Sequence, residues 1–116
     1  MIKLSIIIPH FNGTMILTDC LNSLSKCTYK DLEILVVDNG STDDSIDVIK
    51  KKFPAVEIIT SDTNRGYAGG CNFGAQQANG EYILFLNNDT IHQKKWLEPL
   101  IRKLDNDENI SSVQPK

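Results

Sequence analysis

The sequence has no apolar run near the ~20 residues that span a bilayer. Its apolar start, Ile2 to Pro9, is too short for a signal sequence and passes directly into structured pattern. These absences predict a cytoplasmic location. Basic residues form no patch: the formal net charge is −3, and the longest basic run is the short Lys50, Lys51 and Lys52. That balance argues against a nucleic-acid-binding surface. Cysteine is scarce, and Cys20, Cys27 and Cys71 are odd in number, lack CxxC spacing and sit among apolar residues. They read as reduced core thiols rather than a metal or disulfide framework. No G-x-G-x-x-G turn follows the first apolar run, where Pro9-His10-Phe11-Asn12-Gly13 stands instead, which argues against a dinucleotide-dependent oxidoreductase. The Gly-rich basic loop of a nucleotidylyltransferase is missing from the same place. No linker, repeat or low-complexity tract is visible, and 116 residues with 41% hydrophobic content suit a single domain over residues 1–116.

What is present is an alternation. The β-branched runs Leu4 to Ile8, Leu32 to Val37, Val56 to Thr60, Tyr82 to Leu86 and a weaker Ile110 to Val113 read as strands, with segments of helical period between them. This predicts an α/β fold with a Rossmann-like parallel sheet in the order 3-2-1-4 and helices on both faces. A first helix should follow Gly13, because Ile16, Leu17, Cys20, Leu21 and Leu24 form one apolar stripe. Ser41 with Asp44 resembles a capping box opening a second helix, Lys50 to Lys52 suit its C-terminal dipole, and Pro54 ends it. A third helix, about Ala68 to Asn79, is built from small residues and should end at Gly80. A fourth should start near Lys95, since Pro99 is tolerated only in a first turn. Ser112 to Pro115 read as a strand that has only begun when the sequence stops at Lys116, which points to a piece of a longer protein.

In an open parallel sheet, ligands bind beyond the carboxyl ends of the strands. The polar residues gather there: Pro9 to Asn12 after strand one, Asp38 to Thr42 after strand two, and Asn87 to Thr90 after strand four. Asp38 can accept hydrogen bonds from ribose hydroxyls or the N–H of a uracil-type base, or it can cap a helix; with Ser41 supplying the cap, ligand binding is the favoured reading. Asp89, at the tip of a buried strand, can face a pyrophosphate across a divalent cation, though Asn88-Asp89-Thr90 also suits a plain turn. Arg65, Gly66, Gly69, Gly70 and Asn72 open the third helix, so a phosphate could meet both a guanidinium and helix N–H groups, or the glycines could serve close packing. His10 and His92 have no evident partner and read as structural or solvated.

Four segments together carry a resemblance: Ser5 to Asn12 (SIIIPHFN), Val36 to Asp43 (VVDNGSTD), Asn64 to Asn72 (NRGYAGGCN) and Leu84 to Thr90 (LFLNNDT). In this order and spacing the chain resembles the family 2 glycosyltransferases of the GT-A fold, with a particular likeness to rhamnosyltransferase-type members. The resemblance implies that Pro9 and Asn12 border the base and that Asp38 binds the uracil-type ring or ribose. It also implies that Arg65, Gly69, Asn72 and Asn88 line the nucleotide pocket, and that Asp89 holds Mg2+ or Mn2+. Where the family's metal motif usually reads Asp-x-Asp, this chain has Asn87 in the first position. The implied reaction moves a sugar with inversion from a UDP-, dTDP- or GDP-linked donor to a saccharide or lipid-linked acceptor, in polysaccharide or surface glycan synthesis. The longer protein would then work in the cytoplasm, with peripheral association at the inner face of the membrane. Asp105, Asp107 and Glu108 do not match the family's later acidic motif, so no catalytic base is assigned. The alternative is a nonenzymatic nucleotide-sugar-binding module.

Overall fold

The computed structural model describes residues 2–106. Among them the element order is β1 (Leu4–His10), α1 (Thr14–Ser25), β2 (Leu32–Asp38), α2 (Ser45–Lys52), β3 (Glu57–Thr60), α3 (Gly66–Ala75), β4 (Tyr82–Phe85) and α4 (Leu97–Asn106). The strands form one sheet in the order β3-β2-β1-β4, with every pair parallel. This is the order expected from the sequence. The weak strand read at Ile110 to Val113 lies outside the described residues, as do Asp107 and Glu108.

Strand alternation divides the core between the two faces. Leu4, Ile6 and Ile8 of β1 and Val36 of β2 point one way, against Leu17, Cys20, Leu21 and Leu24 of α1, Ile49 of α2, and Leu97 and Ile101 of α4. Ile7, Leu35, Val37 and Ile59 point the other way, where Phe73 of α3 and Ala78 pack on them. Helices thus cover both faces, α3 alone on the second. All seven residues of β1 are buried because the strand is central and covered on both sides. Each fully buried Ile or Leu contributes about 1.5–3 kcal/mol, so β1 is the mechanical reference for the loops at its end. The three cysteines are free and buried, as expected. No helix of the described residues is long and apolar enough to cross a membrane.

Several helix ends differ from the sequence reading, each for a local reason. α2 starts at Ser45, and Ser41 does not cap it. Asp44 stands at the N-cap without a side-chain capping bond, and Asp43 before it satisfies the first helical N–H, its Oδ1 accepting from the Ser45 N–H at 3.1 Å and the Ser45 hydroxyl at 2.5 Å. α3 runs from Gly66 to Ala75, starting two residues earlier and ending four residues earlier than the expected Ala68 to Asn79. Gly80 is therefore not a helix stop. It lies against the start of β1, where an added Cβ would sit 2.5 Å from the Ser5 N and 2.6 Å from its Oγ. α4 starts at Leu97 rather than near Lys95, which leaves Pro99 third in the helix, where no intrahelical N–H bond is lost. β4 is an edge strand, and Ile83 and Phe85 on its outer face are each 43% exposed.

Candidate functional site

Parallel strands send all their strand-to-helix loops out at one edge, and the sequence-predicted residues meet there. Asp38 ends β2 directly beside His10, the last residue of β1. On the other side of β1 comes β4, followed by the Asn87–Thr90 turn. Asp38 and Asp89 therefore lie at the same edge of the sheet, following strands on either side of β1.

Asp38 is 7% exposed. Its Oδ1 accepts from the Ser41 N–H, three residues on, at 2.9 Å, while its main-chain carbonyl accepts from the Ser61 N–H at 2.9 Å. Ser41 does not cap α2 and so does not free Asp38. Asp38 shapes its own loop through Oδ1, and Oδ2 takes no hydrogen bond among the described residues.

Asn12 is the latch between the first two loops. Its φ of 56° is left-handed, a conformation Asn tolerates better than most residues. From there its Oδ1 accepts from the Thr42 and Asp43 N–H groups at 2.8 and 3.2 Å, and its Nδ2 donates to Thr42 Oγ1 at 3.2 Å. Its own N–H donates to Ser41 Oγ at 3.0 Å. Asn12 thus acts on any ligand through the loop it holds. Asp43 completes the junction by accepting from the Gly13 N–H at 2.7 Å. The Ser45 hydroxyl and the Gly13 N–H hold the Asp43 carboxyl below its usual range.

His10, expected to lack a partner, has two. It is 1% exposed, with Nε2 2.9 Å from Ser45 Oγ and Nδ1 2.9 Å from Asn88 Nδ2. Burial pushes its pKa down, against the opposing pull of Asp43 and Asp38. These bonds tie the turn carrying Asp89 to the β2–α2 loop. The same turn is anchored to α1 on its far side: Thr90 Oγ1 donates to the Asn87 carbonyl at 3.1 Å and meets His92 Nε2 at 2.8 Å, and the His92 N–H donates to Ser23 Oγ at 3.1 Å. Asp89 itself is exposed. The partners of His10 lie 35 and 78 residues away from it in sequence, so only the fold brings the cluster together.

The opening of α3 forms the third wall. Arg65, Gly69 and Asn72 fall at i, i+4 and i+7, one stripe of the helix. Gly70 lies close over Pro9 and Asn39, since an added Cβ would meet Pro9 Cβ at 3.0 Å and Asn39 Nδ2 at 3.1 Å. Pro9 is thereby buried under α3. Asn39, 4% exposed, binds the helix start: Oδ1 accepts from the Arg65 N–H and Nδ2 donates to the Gly66 carbonyl, both at 3.3 Å. The Arg65 guanidinium is partly engaged, its Nη2 lying 3.7 Å from Asp62 Oδ1. Its Nε donates to Ser61 Oγ at 2.8 Å, and its carbon lies 4.4 Å from the Phe73 ring centroid. Arg65 follows β3, at one side of the sheet, and Asp89 follows β4, at the other.

Among the described residues no three His, Cys, Asp or Glu side chains come together as a metal cage. Asp89 with the amide oxygens of its turn is a sparse, hard-oxygen set, the kind that suits Mg2+ or Mn2+ when phosphate and water complete the shell. The Glycosyl transferase family 2 model matches residues 5–115. The chain belongs to this family. A poly(ribitol-phosphate) beta-glucosyltransferase of Bacillus spizizenii is 41% identical over 93 residues, which are 75% of this chain and 15% of that protein. The S. aureus TarS fragment 1–349 in complex with UDP superposes with a TM-score of 0.81 at 31% identity, over 90% of this chain and 32% of that one. A mannosyltransferase of Pyrobaculum calidifontis, solved with GDP-Man and Mn2+, shares the fold with a TM-score of 0.83 at 22% identity, over 90% of this chain and 32% of that one. The family 2 chain described here thus has the GT-A fold expected from its sequence, and it spans between 15% and 36% of the length of curated relatives it matches.

Proposed function

We propose that this chain is the nucleotide-sugar-binding part of an inverting, metal-assisted glycosyltransferase. The observation that carries the reading is the shared edge, where Asp38, the α3 opening and the Asn88–Asp89 turn are joined through His10 and Asn39. Asp38 Oδ2 and the Arg65–Gly69–Asn72 stripe receive the base and ribose at the β2–β3 end. Asn88 and Asp89 receive the diphosphate at the β4 end. This polarity matches a nucleoside diphosphate laid across the strand ends. A divalent cation held by Asp89 supplies neutralisation of the departing diphosphate. TarS, solved with UDP, supports a UDP-linked donor, and the Pyrobaculum enzyme with Mn2+ supports the cation. The poly(ribitol-phosphate) beta-glucosyltransferase relative supports transfer of a hexosyl unit, to a saccharide or lipid-linked acceptor at the cytoplasmic face of the membrane.

No catalytic base is assigned here. Asp105 belongs to the amino edge of the sheet, where it accepts from Lys3 Nζ at 2.8 Å and the Tyr82 hydroxyl at 2.7 Å. A general base contributes about 10²- to 10⁴-fold, so the chain alone should bind a nucleoside diphosphate with metal and transfer sugar at no useful rate. The test is a thermal-shift series with UDP, dTDP and GDP and their sugars, with and without Mn2+, on wild type and Asp89→Asn. Stabilisation by nucleotide that Mn2+ enhances in wild type but not in Asp89→Asn is expected. Enhancement retained in Asp89→Asn would remove Asp89 from the site, and ordinary turnover by the isolated chain would overturn the binding-module half of the reading.

A further inference from the structure

The hydrogen-bond chain through His10 fixes its own proton positions. Asp43 begins it, a carboxylate that can only accept. The Ser45 hydroxyl spends its single proton on Asp43 Oδ1 at 2.5 Å. Toward His10, 2.9 Å away, Ser45 Oγ must therefore accept, so the imidazole carries its proton on Nε2. Its Nδ1 is then left as an acceptor. Asn88 must turn its amide nitrogen toward that ring atom, also at 2.9 Å, and its carbonyl oxygen away from it. A charged imidazole would donate from both nitrogens and demand the reverse orientation of Asn88. The buried position of the ring, 1% exposed, leaves no water to substitute for either bond.

We propose that His10 is a positioning residue, a neutral Nε2–H imidazole that orients Asn88 so that its carbonyl oxygen, rather than its amide hydrogens, faces the cleft beside Asp89. This rests on the reading of that edge as a nucleotide and cation site. A divalent cation accepts oxygen ligands and is repelled by N–H donors, so the orientation of one amide decides whether the Asn87-Asn88-Asp89 turn offers one oxygen side chain next to Asp89 or a hostile dipole. It also accounts for how a turn with asparagine in place of the first motif aspartate still presents a usable donor set. His10 touches neither nucleotide nor cation in this role, and acts through Asn88.

The experiment uses the chain with UDP and Mn2+ as probes, and nuclear magnetic resonance without either. In the metal-free wild type at neutral pH, long-range proton–nitrogen spectra should show the Nε2–H tautomer of His10 and well-dispersed Asn88 side-chain amide signals. An Nδ1–H tautomer would overturn the role of His10 while leaving the site reading intact. His10→Leu removes both bonds at similar bulk, whereas His10→Gln restores a carbonyl toward Asn88 and a donor toward Ser45. His10→Leu should collapse the Asn88 amide dispersion and weaken the Mn2+ enhancement of UDP binding by about tenfold or more, the usual cost of losing a group that orients a metal ligand. UDP affinity in EDTA should stay unchanged, and His10→Gln should recover most of the enhancement. Full enhancement in His10→Leu, or equal losses with and without Mn2+, would refute the proposal. Should His10→Leu not fold, Ser45→Ala serves in its place, because removal of the acceptor should admit the Nδ1–H tautomer and the same selective loss of enhancement. Absence of Mn2+ enhancement in wild type would instead overturn the site reading itself.

Discussion

Gly74 sits where α3 meets the sheet, and adding one methyl there tests the packing that supports the cleft. In Gly74→Ala the new Cβ would lie 2.5 Å from Ile7 Cγ2 and 2.8 Å from Val37 Cγ2. Ordinary carbon contacts are about 3.5–4.0 Å, so the helix must retreat by about 1 Å. Neither neighbour can yield easily, because both are fully buried, β-branched and fixed in central strands. Overpacking of this kind costs about 1–3 kcal/mol. Alanine returns up to about 1 kcal/mol through its better helix propensity. A net loss of about 1–2 kcal/mol follows, lowering Tm by about 5–10 °C in a domain of this size. The retreat should also loosen the seat of Gly70 on Pro9 and Asn39 and weaken UDP binding. Thermal unfolding followed by circular dichroism measures the first effect, and a cycle with Ile7→Ala measures its cause. Removing Cγ2 of Ile7 should make Gly74→Ala cheaper by about 1 kcal/mol. A Gly74→Ala chain as stable as wild type, or strict additivity with Ile7→Ala, would refute the close-approach argument.

Asn12→Ala should lose about 1–3 kcal/mol in denaturant unfolding, and Asn12→Gly should recover the backbone part, because only the latter keeps an easy φ of 56°; equal losses for the two would count against backbone strain. His92 has its pKa lowered by burial from an ordinary 6.5. Its stabilising contribution is therefore full above that pH and declines below it, as the unfolded chain takes up protons the folded chain resists. Since His92 stacks on Trp96 at 3.9 Å, Tm read by Trp96 fluorescence should fall between pH 7.5 and 5, and His92→Gln should flatten part of that slope, with His10 contributing in the same direction. A slope unchanged by His92→Gln would show that the ring is not the titrating group. Arg65→Lys should cost about 1 kcal/mol through loss of the planar stack on Phe73, and a Phe73→Leu background should erase that difference if the stack is its source.

The sheet was legible because its signal is local and repeated. Runs such as Ile6 to Ile8 and Ile34 to Val37 are apolar throughout, as strands buried on both faces must be, and a right-handed crossover rule then restricts their order. Helix boundaries were less so. Ser41, Asp43 and Asp44 all look like caps in sequence, and which of them bonds the helix start depends on Asn12 drawing Ser41 and Thr42 toward a different loop. Gly80 reads as a helix stop by position, whereas its reason lies in Ser5, 75 residues away. The shared edge of Asp38 and Asp89 followed from strand direction alone. His10 was the residue missed, because both its partners come from other loops; its place at the end of a buried strand was the available signal. The loop bonds of Asn12 and the seat of α3 on Pro9 were not legible either, because their partners lie far off in sequence.

The outer side of β4 carries a consequence for anyone handling this chain in solution. Beyond Tyr82–Phe85 no further strand pairs among the described residues, and the side chains of Phe85 and Ile83 on the outer face of the strand stand exposed. An unpaired strand margin is a template for a second strand, whichever molecule supplies it. Wherever that margin is left unpaired, an ageing sample should grow by edge-to-edge addition before the loops at the ends of the strands are affected. A lysine at position 83 is the simplest way to blunt that margin without touching the site.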